Sequence, residues 1–173
     1  LAMQGWVTED AAKKLLQAAG KDSSLFAAAN QRGFKGMPLD IKLSGTLQSK
    51  AVFNISHNVI GKITGSKRPD EYIIYTAHWD HFGIGKPDEK GDSIYNGALD
   101  NGSGSASLLE MARAFKSMKT KPERTIIFLA VTAEEQGLLG SAYYATHPVY
   151  PAEKTVADIN IYGFNNIGKT KNI

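Results

Sequence analysis

The chain has 173 residues, a formal net charge of +3, 42% hydrophobic and 21% charged residues, and no cysteine. That length supports one domain with a sizeable core rather than two; scattered Lys and Arg without a basic stripe argue against nucleic-acid binding, and no apolar run approaches the ~20 residues of a membrane helix. Without cysteine, disulfides and thiolate metal sites are excluded, so any metal must be held by His and carboxylates.

The opening residues show no charged n-region followed by an apolar h-region, so no signal peptide is read in them. Thr8-Glu9-Asp10 starts a helical pattern: Thr8 suits the N-cap, acids fill the first turn, and Ala11, Leu15 and Ala18 recur at helical spacing until Gly20. A second short helix is predicted from Ser23 to about Asn30, and Gly33, Gly36 and Pro38 then mark a loop. From Ile41 to Thr64 the pattern predicts two extended segments. One carries Ile41, Leu43, Thr46, Val52 and Ile55, the other Val59, Ile60 and Ile63, with a bend at His57-Asn58. Gly65 to Asp70 is predicted as a polar turn.

Beyond it the pattern alternates. Tyr72 to Ala77 is a β-prone run of the kind buried on both faces. A Gly-rich loop leads to a helix over Ser103–Met118, with Leu108, Met111, Ala112 and Phe115 on one face. Arg124 to Val131 is a second buried strand, Gly137 to about His147 a short helix, and Val156 to Ile161 a third strand. This β-α-β-α-β order predicts an α/β sandwich around a largely parallel sheet.

The residues that suggest chemistry follow those strands. His78-Trp79-Asp80-His81 comes after the first, Ala133-Glu134-Glu135-Gln136-Gly137 after the second, and Tyr162 after the third; Asp100 stands just before a helix. The carboxyl edge of an open α/β sheet is where ligands bind. His78 suits a zinc ligand if a neighbour such as Asp80 fixes its tautomer. Asp100, set among glycines, reads either as a helix cap or as a carboxylate bridging two metals. Adjacent carboxylates at Glu134 and Glu135 repel unless something positive sits between them, and they suit one metal ligand and one general base. The alternative is a polar loop that caps the next helix. His57, His81 and His147 are read as ordinary histidines, with His81 an outer neighbour of the site because it lies close to Asp80.

The combination is more specific than its parts. Thr76-Ala77-His78-Trp79-Asp80, Asn96-Gly97-Ala98-Leu99-Asp100-Asn101-Gly102-Ser103-Gly104 and Ala133-Glu134-Glu135-Gln136-Gly137-Leu138-Leu139-Gly140-Ser141 closely resemble the di-zinc, co-catalytic aminopeptidase family of zinc exopeptidases. That family includes bacterial leucyl aminopeptidases and aminopeptidase Y, and its relatives include glutamate carboxypeptidase II and the inactive transferrin receptor. The resemblance spans about residues 58–173. It implies a three-layer sandwich with a mixed, largely parallel central sheet, incomplete at its C-terminus. Residues 1–38 would be a helical segment following a protease-associated domain, and 39–173 the N-terminal portion of the catalytic domain. It further implies that His78 binds the first zinc, Asp80 orients His78, Asp100 bridges both zincs, Glu134 is the general base and Glu135 binds the second zinc. The implied reaction is attack of a zinc-bridging hydroxide on the first peptide bond of a peptide with a free N-terminus, in a secreted or periplasmic protein.

The chain departs from that pattern at Tyr162, where the family carries an aspartate ligand of the first zinc. A phenol with a pKa near ~10 is a poor zinc ligand at neutral pH. The family's late histidine, a ligand of the second zinc, falls past Ile173. Each zinc is thus expected to lack one ligand, so weak zinc binding and little hydrolysis are predicted, with cobalt or manganese as other metals suited to the donors. An exposed sheet edge is expected to favour self-association. Two other readings stand beside this one: an exopeptidase or cyclase of different specificity, and a catalytically inactive member acting as a binding or scaffold protein.

Overall fold

The computed structural model describes residues 5–163. The chain divides into two compact units, Leu1–Val52 and Phe53–Ile173.

In the first unit, α1 spans Glu9–Ala18 and α2 spans Ser24–Ala29. Thr8 caps α1 as predicted: its hydroxyl accepts from the Ala11 N–H at 3.3 Å, which satisfies one of the orphan amides of the first turn. Leu16 is the buried residue of α1. The Ser24 N–H that starts α2 donates to Asp22 Oδ1 at 2.7 Å. The first extended segment expected between Ile41 and Ile55 does not form a strand. Leu43, Leu47, Val52, Phe53 and Ile55 are all exposed, and an apolar run becomes a strand only where a neighbour takes its backbone hydrogen bonds.

In the second unit, β1 is Val59–Ile63, β2 Arg68–His78, β3 Gly83–Ile84, β4 Ile94–Tyr95, β5 Arg124–Val131 and β6 Thr155–Asn160; α3 is Ser103–Ser117 and α4 Leu139–Thr146. The sheet order is β1-β5-β2-β6, with β2 parallel to β5 and β6, and β1 antiparallel to β5. It is the expected mixed, largely parallel sheet. β3 and β4 form a separate two-stranded hairpin. β2 begins at Arg68, inside the segment predicted as a turn. The N–H groups of Lys67 and Arg68 both donate to the Glu123 carbonyl, at 3.1 and 2.8 Å, so pairing with the start of β5 overrides the local turn signal.

Both faces of the sheet are covered, which makes three layers. Tyr72, Ile74, Ile127, Leu129 and Val131 form one cluster, closed by Ile60, Tyr144 of α4 and Tyr150. Ala77, Ile126 and Phe128 form the other with Leu108 of α3, backed by Met111, Ala112 and Phe115. The predicted apolar face of α3 is thus the face that packs. The alternation along β2 and β5 places successive side chains in opposite layers, as a period of two requires. This packing fixes the carboxyl ends of β2 and β5 side by side, with Ala77 opposite Ala130 and His78 opposite Val131.

Candidate metal centre

Four loops meet at that carboxyl edge. His78 is the last residue of β2, Asp100 lies in an irregular turn over Ala98–Gly102 that leads into α3, Glu134 and Glu135 follow β5, and Tyr162 follows β6. Tyr162 is brought in by continued pairing, because the Ile161 N–H donates to the Thr76 carbonyl at 2.8 Å.

The His78 side chain is 2% exposed. Its Nδ1 stands 3.1 Å from the backbone carbonyl of Asp80. A carbonyl only accepts, so Nδ1 carries a hydrogen, and in the neutral imidazole Nε2 then presents its lone pair. That lone pair faces Asp100 Oδ1 at 3.0 Å, and both atoms are buried without a hydrogen-bond partner among the described residues. Two acceptors in that position repel unless a positive centre lies between them. Two ligands each ~2.0–2.1 Å from a tetrahedral zinc stand about 3.3 Å apart. The spacing and the imidazole-carboxylate donor pair therefore fit a divalent cation. Glu134 Oε2 lies 3.9 Å from the same nitrogen.

Asp80 acts differently from the expectation that its carboxylate orients His78. Its Oδ1 is 3.8 Å from His78 Nδ1, beyond hydrogen-bond range, and the orienting group is its backbone carbonyl. The carboxylate instead accepts the Glu134 N–H at 3.0 Å on Oδ1 and the Glu135 N–H at 3.3 Å on Oδ2. The reason is geometric: the loop after β5 passes directly over Asp80 and offers two amides with no strand partner.

The same loop turns sharply into α4. The Gly137 and Leu138 N–H groups both donate to the Glu134 carbonyl at 2.9 Å. At Gly140 a Cβ would lie 2.2 Å from the Thr132 carbonyl oxygen, so only glycine fits where α4 crosses the end of β5.

Glu135 meets His81, whose Nδ1 is 2.7 Å from Glu135 Oε1. His81, Asp100 and Glu135 bring one donor atom each within 4.8 Å of one another. Tyr162 donates its hydroxyl hydrogen to Asp100 Oδ2 at 3.3 Å, with its ring centroid 5.4 Å from that of His78. The Asp100 charge pushes the Tyr162 phenol above its ordinary pKa, with desolvation adding to it. At neutral pH the phenol keeps its proton and serves as a donor. His57 and His147 are outside the cluster: the His57 carbonyl accepts from Trp79 Nε1 at 3.1 Å, and His147 stacks on Tyr143 with centroids 4.6 Å apart.

Three residues that hold the loops escaped the sequence reading. Asn101 is 1% exposed; its Nδ2 donates to the Ile161 carbonyl at 2.9 Å, and its Oδ1 accepts the Gly104 and Gly163 N–H groups at 3.0 and 3.3 Å. It ties the Asp100 turn to the chain leading to Tyr162. Ser105 Oγ donates to the His78 carbonyl at 3.1 Å. Asn58 joins Gly140 and Thr132, donating to one backbone and accepting from the other. For Asn101 and Ser105 the one available signal was a run of Asn and Ser beside glycines, which a helix cap explains equally well.

The pattern of peptidase family M28 matches residues 58–173, a span that contains every residue of this cluster. The chain is 42% identical over 116 residues to aminopeptidase YwaD of Bacillus subtilis (strain 168), covering 65% of this chain and 22% of that protein. It is 42% identical over 83 residues to a probable zinc metalloprotease of Pyrenophora teres f. teres (strain 0-1), covering 48% and 17%. The crystal structure of a peptidase M28 precursor from Shewanella amazonensis SB2B superposes with a TM-score of 0.50 at 35% identity, over 58% of this chain and 21% of that one. The chain spans between 13% and 28% of the length of such curated relatives. The match over residues 58–173, a span that includes His78, Asp100, Glu134 and Glu135, makes this chain a member of peptidase family M28.

Proposed function

We propose that the cluster is the centre of a zinc-dependent exopeptidase that removes N-terminal residues from peptides. The observation that carries this reading is the apposition of His78 Nε2 and Asp100 Oδ1, two buried atoms 3.0 Å apart and without hydrogen-bond partners among the described residues. Family membership supports it, as do the names of an aminopeptidase and a zinc metalloprotease among the relatives.

His78 and Asp100 would hold one ion, and Asp100 and Glu135 a second. A bound zinc supplies Lewis-acid polarisation of the scissile carbonyl and acidifies water. Glu134 stands beside the pair and is free to move a proton. It takes one from the attacking water as oxygen bonds to the carbonyl carbon, and delivers it to the leaving nitrogen as the C–N bond breaks. Asp100, Glu134 and Glu135 together place negative charge where the ammonium of a peptide N-terminus would enter. Asp80, by gripping the Glu134 and Glu135 amides, holds the backbone that carries both carboxylates.

Tyr162 favours a second reading, an inactive member that binds without hydrolysing. Its hydroxyl occupies Asp100 Oδ2, and it leaves the first ion one carboxylate short. The experiment compares the chain with Tyr162→Asp and Glu134→Gln for zinc content after dialysis and for hydrolysis of leucine p-nitroanilide. The unaltered chain should hold zinc loosely and turn over slowly. Tyr162→Asp should tighten zinc and raise the rate, and Glu134→Gln should lower that rate by about 10²–10⁴. If neither the chain nor Tyr162→Asp takes up zinc, the metal reading fails. If Tyr162→Asp binds zinc tightly and remains inert, the non-catalytic reading replaces the first.

A further inference from the structure

Two histidines meet carboxylates in this cluster, and the two meetings differ in kind. His78 Nε2 and Asp100 Oδ1 face one another as orphaned acceptors, the state of two atoms that share a cation. His81 Nδ1 and Glu135 Oε1 are a satisfied hydrogen-bonded pair at 2.7 Å. Two ligands of one tetrahedral zinc stand about 3.3 Å apart, so 2.7 Å is too close for shared ligation and typical of a charge-assisted hydrogen bond. A carboxylate oxygen accepts, which places the hydrogen on His81 Nδ1. We propose that His81 is a positioning residue for Glu135: its Nδ1–H holds one carboxylate oxygen so that the other is presented to the metal. The proposal rests on the reading of Glu135 as a metal ligand.

The surroundings of His81 are those of a side chain held in one orientation. The His81 side chain is 21% exposed and that of Glu135 12%. The imidazole packs beside an aromatic pair, with Phe82 at 5.0 Å and Tyr95 at 6.5 Å between centroids and those two rings 5.7 Å from one another. Tyr95 comes from β4, so the small hairpin contributes a wall of this support. Gly97 also packs closely against His81. A Cβ there would approach His81 Cβ to 2.7 Å, and its φ of +62° is one that glycine tolerates. Glu135 is gripped at its amide by Asp80 and at its carboxylate by His81. Ligating carboxylates are commonly aimed by such outer partners.

The test is zinc affinity, read by competition with a chromophoric chelator, for the chain and its His81→Ala, His81→Asn, His81→Gln and Glu135→Gln variants. The asparagine amide nitrogen falls where Nδ1 lies, and the glutamine amide nitrogen falls where Nε2 lies. His81→Ala and His81→Gln should weaken zinc by about 10–100-fold, and His81→Asn should recover most of that loss. Glu135→Gln should weaken zinc at least as much as His81→Ala. Near-ultraviolet circular dichroism of each variant in chelator confirms that the fold is intact. Asparagine as weak as alanine would make His81 a ligand and overturn the proposal, as would His81→Ala binding like the unaltered chain. Full affinity in Glu135→Gln would remove Glu135 from the metal, and failure of the unaltered chain to bind zinc would sink the site reading; either removes the proposal's basis.

Discussion

Asp80 offers the sharpest test of how the site is built, because the carboxylate and the backbone of one residue do separate jobs. Asp80→Ala removes two charge-assisted hydrogen bonds to the Glu134 and Glu135 amides and leaves the carbonyl that faces His78 Nδ1 in place. Hydrogen bonds to a charged group contribute about 1.5–3 kcal/mol each. One of these is long at 3.3 Å, and the Asp80 side chain is 15% exposed, so solvent screening reduces the sum. The expected loss is about 2–4 kcal/mol for alanine. Asparagine keeps one neutral acceptor and should lose about half as much. With an m-value of about 2 kcal/mol/M, alanine should lower the urea midpoint in chelator by about 1–2 M. Zinc should report the other job. If the carbonyl orients His78, affinity at the His78–Asp100 pair should change by less than about threefold; if the carboxylate does, it should fall about 10–100-fold. An unchanged urea midpoint with a large loss at that pair would refute the assignment on both counts.

Two other variants probe the electrostatics. Asp100→Asn places an amide donor opposite His78 Nε2, where two acceptors now stand 3.0 Å apart. The metal-free chain should gain about 1 kcal/mol, or about 2–4 °C in thermal midpoint, and lose the stabilisation that added zinc confers; a lower midpoint in chelator would contradict this. Glu123 is held below the ordinary glutamate pKa by its hydrogen bonds from Lys67 and then Arg68. A lowered folded pKa contributes stability above the unfolded value that is lost as pH falls through the folded one. Glu123→Gln should therefore flatten the fall of urea midpoint between about pH 6 and 3, most clearly at low salt, and equal slopes would sink the assignment.

The alternating part of the fold was legible because its signals were long and uniform. The strand predicted over Arg124–Val131, with its unbroken apolar run from Ile126 to Val131, is found with those bounds. The helix expected over Ser103–Met118 ends one residue earlier, and Thr8 caps α1 as its sequence context suggests. The failures share one cause. The stretch from Ile41 to Ile55 has strand-like residues and no partner, whereas Arg68 and its neighbours have turn-like residues and a partner in the Glu123 carbonyl. Composition describes what a segment prefers, and pairing decides what it becomes.

The site divides along a similar line. His78, Glu134, Glu135 and Tyr162 were identifiable as candidate site groups at strand ends, and Asp100 as one before a helix, and the structure gathers all five at one edge. Their supports were identifiable only in part: Asp80 was read as orienting His78 and His81 as an outer neighbour of the site, while Asn101 was given no role. Asn101 reaches Ile161, Asp80 reaches Glu134, and His81 reaches Glu135 across sequence separations of 60, 54 and 54 residues. Each is a side chain bonding to a loop that periodicity does not describe, and each looks locally like a cap or a solvated charge. The division follows from what each layer must do. Reactive groups are few in chemical type and stand out, whereas a supporting hydrogen bond requires only some polar atom at the right place. Substitution at Asn101 should therefore be as damaging to the proposed metal centre as substitution at a proposed ligand, since its one amide fixes the turn that carries Asp100 and the strand end that carries Tyr162.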